Sequence, residues 1–292
     1  MLPGKDRLSF SWCGAKSAAE ADLVVFGVGD EKGSRAPRKG SSGGPNAARS
    51  ASLRFDLVRR KNAVSVMHSF SSKGMLKAYD AGNVTKAKVP DFSRKHARDG
   101  RILGCIGGDH SITYEVLKGI DSAVDSWGFV YIDAHPDMIA SSGRYYGSVA
   151  HDLLSLKHVE AGSCVIVGVH AIEDEEAHEI AGSGIKVIDS DRITRDGIVA
   201  VSSYIKNMLP RNVYLSIDLD AVDPAFAPGV SAPAAGGLSA REILYIASAI
   251  GKNVNLGFDV MELNPRYDSG EMTAHLASQI MMSIASSTRK LK

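Results

Sequence analysis

Gly128-Phe129-Val130-Tyr131-Ile132-Asp133-Ala134-His135-Pro136-Asp137 holds two signals in one short stretch. Its first half is apolar and rich in β-favouring residues, as in a strand buried on both faces. Its second half puts Asp133, His135 and Asp137 at i, i+2 and i+4, a spacing that sets all three side chains on one face of an extended chain. The charged groups therefore collect where a buried strand ends. Carboxylates and an imidazole crowded there would repel one another and lose their hydration at heavy cost unless a cation were present. A metal site is the economical reading.

Working outward, strand and helix signals alternate along the chain. Strands are expected at Asp22–Val28, Ala63–Met67, Arg101–Ile106, Ser163–Val169, Ile185–Asp189, Asn212–Leu219 and Asn255–Val260. Helices are expected from Pro45, over 88–99, from about Ile112, and over Val149–Glu160, Glu173–Ala181, Asp196–Met208, Ser239–Ile250 and Glu271–Ser287. Pro45 suits a first helical position, and Ser239 with Glu242 three residues later fits a capping box. The segment around Tyr79–Val84 reads as a polar stretch, and Ile139–Gly147 as a loop. About eight strands alternating with helices predict a three-layer α/β/α domain around a mostly parallel sheet. With no linker-like break and no repeat, residues 1–292 form one domain.

Composition narrows the function. A hydrophobic content of 44% supports a sizeable core, and a net charge of +1 gives no electrostatic case for nucleic acid. The basic runs Arg35–Lys39 and Arg59-Arg60-Lys61 are interrupted and read as solvated surface. Cys13, Cys105 and Cys164 lack metal or redox spacing; with no membrane-length apolar run and no signal core, they suggest a cytoplasmic protein. The first strand runs into Gly27-Val28-Gly29, but a dinucleotide fingerprint fails because Lys32 holds its sixth position and Gly33 comes one residue late. The Gly/Ser/Pro-rich loop from Asp30 to Gly44 reads instead as a mobile rim over a site on the sheet.

Two further strand ends carry ligand-type residues. Ser216-Ile217-Asp218-Leu219-Asp220-Ala221-Val222-Asp223-Pro224 repeats the i, i+2 acid pattern with Asp218 and Asp220; an EF-hand is excluded because Asp223 stands where its Gly belongs. Gly107-Gly108-Asp109-His110-Ser111 puts His110 at a strand-to-helix turn. Open α/β sheets place their sites at the carboxyl ends of strands, so the three segments converge. Four Asp and two His form an oxygen-rich set suited to Mn²⁺ or a related divalent ion, and six ligands suit two ions about 3.5–4 Å apart. Such a pair generates hydroxide from water near neutral pH, which implies metal-assisted hydrolysis. Asp109 and Asp223 read as turn residues, and His68, His96, His158, His170, His178 and His275 as packing or surface residues.

These three motifs, with Gly257-Phe258-Asp259-Val260-Met261-Glu262-Leu263-Asn264-Pro265 as a fourth, resemble the signatures of the ureohydrolases, the family of arginase, agmatinase, guanidinobutyrase and formiminoglutamase. The likeness runs from about Asp22 to the C-terminus, including Gly44-Pro45 and Ala47-Ala48-Arg49. The resemblance implies two Mn²⁺ ions on His110, Asp133, His135, Asp137, Asp218 and Asp220, and hydroxide attack on a guanidinium carbon. It implies catalytic roles for Asp137 and for Glu262, the latter binding the guanidinium. It also implies a small guanidino substrate and a homo-oligomer, trimer or hexamer. Met138 and Ile139 are apolar where arginase-like members recognise an amino-acid end, and Val169–Glu173 lacks the expected Asp; both favour agmatine, cleaved to putrescine and urea. Guanidinobutyrate, arginine or formiminoglutamate, or a catalytically weak metal-binding paralogue, are the alternatives. Many members carry a His in the loop after the metal strand. Tyr146 stands there here, a poor proton shuttle with an ordinary pKa of about 10, and His151 is the substitute if the loop rearranges.

Overall fold

Strands β1 (Leu23–Gly27), β2 (Ala78–Asn83), β3 (Ile102–Ile106), β4 (Gly128–Ile132), β5 (Val165–Val169), β6 (Lys186–Asp189), β7 (Val213–Asp218) and β8 (Gly257–Met261) make one sheet in the computed structural model. The structure describes residues 8–59 and 76–288. The strand order is β2-β1-β3-β8-β7-β4-β5-β6, and all the pairings are parallel. Between them run α1 (Gly44–Arg59), α2 (Val89–Arg98), α3 (Ile112–Asp121), α4 (Val149–Leu153), α5 (Asp174–Ser183), α6 (Ser190–Asp196), α7 (Ile198–Lys206), α8 (Ala240–Gly251) and α9 (Met272–Ser287).

The side-chain period of two sorts the strands onto two cores. Leu23, Val25, Val130, Ile132, Leu215 and Ile217 pack with Ile243 and Ile246 of α8 and Ile280 and Ile284 of α9 on one face. Val24, Phe26, Phe129, Tyr131 and Tyr214 pack with Val116, Leu117 and Ile120 of α3 on the other. This is the expected three-layer α/β/α architecture, with every central strand buried on both sides.

Three local expectations change. The polar stretch around Tyr79 is the edge strand β2, where one unpaired side tolerates polarity; its buried Asp80 receives Arg49 Nε at 2.8 Å and NH2 at 3.0 Å, tying the edge to α1. The helix expected to reach Glu160 stops at Leu153, because residues 158–160 pair with Trp127 at the entrance to β4: Trp127 N–H donates to His158 O and Glu160 N–H to Trp127 O. The helix expected over Asp196–Met208 forms as α7, but a further helix, α6, precedes it, separated by Gly197, whose φ of 80° breaks the helical path. The expected strand Ala63–Met67 and His68 lie outside the described residues. The capping box of α8 forms as expected, with Ser239 and Glu242 bonding each other's backbone N–H.

The functional consequence is adjacency. β3, β8, β7 and β4 are consecutive neighbours at the centre of the sheet. Their spacing of about 4.8 Å brings their carboxyl ends within side-chain reach of one another.

Candidate metal centre

Each motif lands at a strand end. His110 follows β3 in a turn that needs both preceding glycines: a Cβ on Gly107 would lie 1.9 Å from Met261 Sδ, and one on Gly108 2.0 Å from Asp30 O. That close approach lets Asp109 N–H donate to Asp30 O, which fixes the rim loop against the turn. Asp133, His135 and Asp137 follow β4, Asp218 ends β7 with Asp220 in the turn after it, and Glu262 follows β8. Asp137 and Glu262 have φ of 51° and 65°, left-handed values rare outside glycine and characteristic of sites whose surroundings hold the backbone in place.

The six expected ligands meet in two overlapping groups. His110, Asp133 and Asp137 form one and Asp133, His135 and Asp220 the other, each with its ligand atoms mutually within 4.8 Å. Asp218 joins the first, its Oδ2 lying 2.8 Å from His110 Nδ1. Asp133 links the groups, with Oδ2 3.0 Å from His110 Nδ1 and Oδ1 3.5 Å from His135 Nδ1. Asp220 Oδ2 stands 3.2 Å from His135 Nδ1. The four aspartates are buried, and His135 is the ligand that opens towards solvent.

Protonation shows that the cluster lacks positive charge. Burial and neighbouring carboxylates push Asp137, Asp218 and Asp220 above the ordinary carboxylate range. Asp133 is held low: burial opposes ionisation, but hydrogen bonds with His110 and His135 outweigh it. Against their own desolvation, contacts with Asp133 and Asp218 lift His110, and contacts with Asp133 and Asp220 lift His135 to about 12. The histidines thus act as the cations in a site whose acids demand more. Asp133 Oδ2 is buried without a hydrogen-bond partner, and so is Glu262 Oε2. Orphaned acceptors beside a hard O/N donor set are what bound divalent ions would satisfy, so these residues fit two such ions.

Glu262 sits beside the cluster, its Oε1 accepting His110 N–H at 3.1 Å. Burial, then Asp109, raises its pKa to about 8. Tyr146 lines a cleft of about 420 Å³ together with His135, Asp137, Ile139, Tyr145, Ala171, Ile172, Glu173 and Glu176. Burial, then Glu262 and Asp137, raises the Tyr146 phenol above its ordinary value, so it stays neutral near pH 7. His151 is not among the cleft-lining residues; its N–H donates to Asp137 O and its Nδ1 lies 3.7 Å from Asp152. Asp109 is a turn residue as expected, accepting Gly33 N–H and Ser111 N–H, and Asp223 accepts Ala225 N–H and Gly236 N–H.

Several site residues were not legible beforehand. Tyr131 stacks on His110 at 4.5 Å and its hydroxyl donates to Asp137 Oδ2. Its i−2 relation to Asp133 was the available signal. Glu173 and Glu176 enter the cleft, although that segment lacks the Asp expected of arginase-like members. A Glu is one methylene longer and reaches the cleft from the start of α5.

Comparison with known proteins places these features in context. A family model described as the arginase family matches residues 21–286. Proclavaminate amidinohydrolase of Streptomyces clavuligerus is 30% identical over 277 residues, covering 89% of this chain and 85% of that protein. Agmatinase of Enterobacter sp. (strain 638) is 26% identical over 278 residues, covering 90% and 86%. Among solved structures, a hypothetical agmatinase from Burkholderia thailandensis aligns with a TM-score of 0.82 at 27% identity, covering 93% of this chain and 86% of that one.

Proposed function

The chain belongs to the arginase family, hydrolases of guanidino and amidino C–N bonds, and from that premise we propose that it cleaves agmatine to putrescine and urea at a binuclear manganese centre. His110, Asp133, Asp137 and Asp218 would hold one ion, and Asp133, His135 and Asp220 the other. When bound, the ions supply Lewis-acid activation of water at neutral pH. The oxygen and imidazole donors favour Mn²⁺ among divalent ions.

The protein's own groups position the substrate. Glu262 Oε2, buried and unpartnered, is a ready acceptor for a planar guanidinium, the match that charge-assisted hydrogen bonds favour. Tyr131 holds Asp137 Oδ2, leaving the second oxygen to carry a proton to the departing amine. Tyr146, neutral in the cleft wall, is a hydrogen-bond donor to the substrate rather than a shuttle; His151 would need the loop to rearrange to take part.

The choice of agmatine rests on one observation: the cleft joins Glu173 and Glu176 to apolar Ile139, Ala171 and Ile172. Two acids suit a distal ammonium and repel the carboxylate of guanidinobutyrate, while the apolar wall suits a polymethylene chain. Urea release by Mn²⁺-loaded protein from agmatine, arginine and 4-guanidinobutyrate in parallel tests this. Turnover led by agmatine supports it, preference for 4-guanidinobutyrate overturns the distal-ammonium reading, and absence of urea from all three points to formiminoglutamate or an inactive paralogue.

The described residues include no helix long and apolar enough to cross a membrane, and Cys13, Cys105 and Cys164 are buried thiols. The thiols support a cytoplasmic setting, and the family resemblance supports a trimer or hexamer, which sedimentation would measure.

A further inference from the structure

Beneath the centre lies a buried carboxylate that the proposed chemistry does not use. Asp259, in the middle of β8, is fully buried, with no Lys, Arg or His within ion-pair distance among the described residues. Three hydroxyls converge on it: Ser216 Oγ donates to Oδ1 at 2.6 Å, while Tyr214 OH and Thr113 Oγ1 donate to Oδ2 at 2.8 and 2.9 Å. Ser216 is its register partner on β7, and Tyr214 stands two residues earlier on the same face, so the sheet itself builds the cradle.

With Asp259 ionised, the form that its three hydroxyl donors favour, and His110 neutral, as a metal-ligating imidazole is, the protons along this chain can be placed. An ionised carboxylate only accepts, so Ser216 commits its single proton to Asp259. Ser216 Oγ also lies 2.8 Å from His110 Nε2, and with its proton committed it can only accept there. Nε2 must therefore carry a hydrogen. The nitrogen left to offer a lone pair is Nδ1, the atom that faces Asp133 and Asp218.

We propose that Asp259 is a positioning residue which, through Ser216, fixes the ring orientation and tautomer of His110 and so sets the affinity of the ion on the His110 side of the centre. This rests on the metal-centre reading given above. A partner on the far nitrogen of a ligating imidazole typically contributes roughly 10–100-fold in metal affinity.

The test is Mn²⁺ stoichiometry and dissociation constants from equilibrium dialysis of the full chain, with the melting temperature of the metal-free protein recorded in parallel. Ser216→Ala, which removes the acceptor with little change of shape, is expected to weaken one ion by roughly 10–100-fold and spare the other. Asp259→Asn, whose amide can turn an N–H towards Ser216, is expected to weaken the same ion; should it fail to fold, Ser216→Ala decides. Ser216→Thr, which keeps the hydroxyl, is expected to restore binding. Thr113→Val loosens the same carboxylate without freeing the Ser216 proton, and is expected to lower the melting temperature while keeping both ions. Wild-type affinity for both ions in Ser216→Ala overturns the inference, as does equal weakening by Thr113→Val. Wild-type protein that takes up no ion overturns the metal centre itself, and this inference with it.

Discussion

Asp133 is where the two halves of the centre meet, since its two oxygens face different histidines. Glu262 has a more separable task. Its Oε1 is spent on His110 N–H and its Oε2 has no hydrogen-bond partner; a guanidinium beside it would favour the ionised form, so Glu262→Gln should keep the backbone bond and lose the charge offered to that cation. A hydrogen bond to a charged partner contributes about 1.5–3 kcal/mol, so kcat/KM for agmatine is expected to fall by roughly 10–150-fold with both ions retained. A variant with unaltered kcat/KM would remove Glu262 from substrate binding. Tyr146 calls for the opposite experiment. Burial and two nearby carboxylates hold its phenol protonated, so Tyr146→His introduces a group that titrates near neutrality at the mouth of the cleft. Urea release at pH 7 is expected to fall severalfold because the phenol donor is lost; a rise would show that turnover needs a titrating group there rather than the phenol hydroxyl.

Elements contribute through how they are pinned. The rim loop after β1 was expected to be a mobile cover, yet Glu31 gathers it: Oε2 accepts Gly40 N–H at 2.7 Å, and Ser41 and Ser42 hydroxyls donate to the same carboxylate. Helix α2 shows how packing becomes pH dependence. Its His96 is buried edge-on against Phe92, with Nδ1 unpartnered. Burial, and then neighbouring Lys95, lowers its pKa below the ordinary 6.5. The folded state therefore resists a proton that the unfolded chain accepts. Stability contributed by neutral His96 is present above pH 6.5 and is lost as pH falls from there towards the folded pKa. Replacement by non-titrating Gln should flatten the change in urea midpoint between pH 7 and pH 5; an unchanged slope would assign the acid sensitivity to other groups.

At the scale of the molecule, the candidate ligands come from the ends of three central strands, β3, β4 and β7, so ion binding and fold stability are coupled. A ligand that binds only the folded state at 100 times its Kd stabilises by about 2.7 kcal/mol per site. Adding Mn²⁺ to metal-free protein should raise the melting temperature, and chelation should reverse the shift. Asp218→Ala should abolish the shift, ion uptake and urea release together; urea release by a metal-free Asp218 variant would sink the binuclear reading.

The alternation of strands and helices, the three-layer architecture and the meeting of the six candidate ligand residues could be read from the sequence. Each depends on short-range periodicity, and an i, i+2 acid pair at the end of an apolar run fixes its own face. The polar β2, the early end of α4 and the separate helix α6 could not be read, because edge position, pairing with Trp127 and the backbone angle at Gly197 decided them. Two features came only from the tertiary structure. Glu173 and Glu176 reach the cleft because β5 lies beside β4 in the sheet. Asp259 meets Ser216 because β8, last in the sequence, sits between β3 and β7 in space. Local pattern determines which groups stand at a strand end, whereas strand order determines which groups from distant segments share a proton, an ion or a substrate.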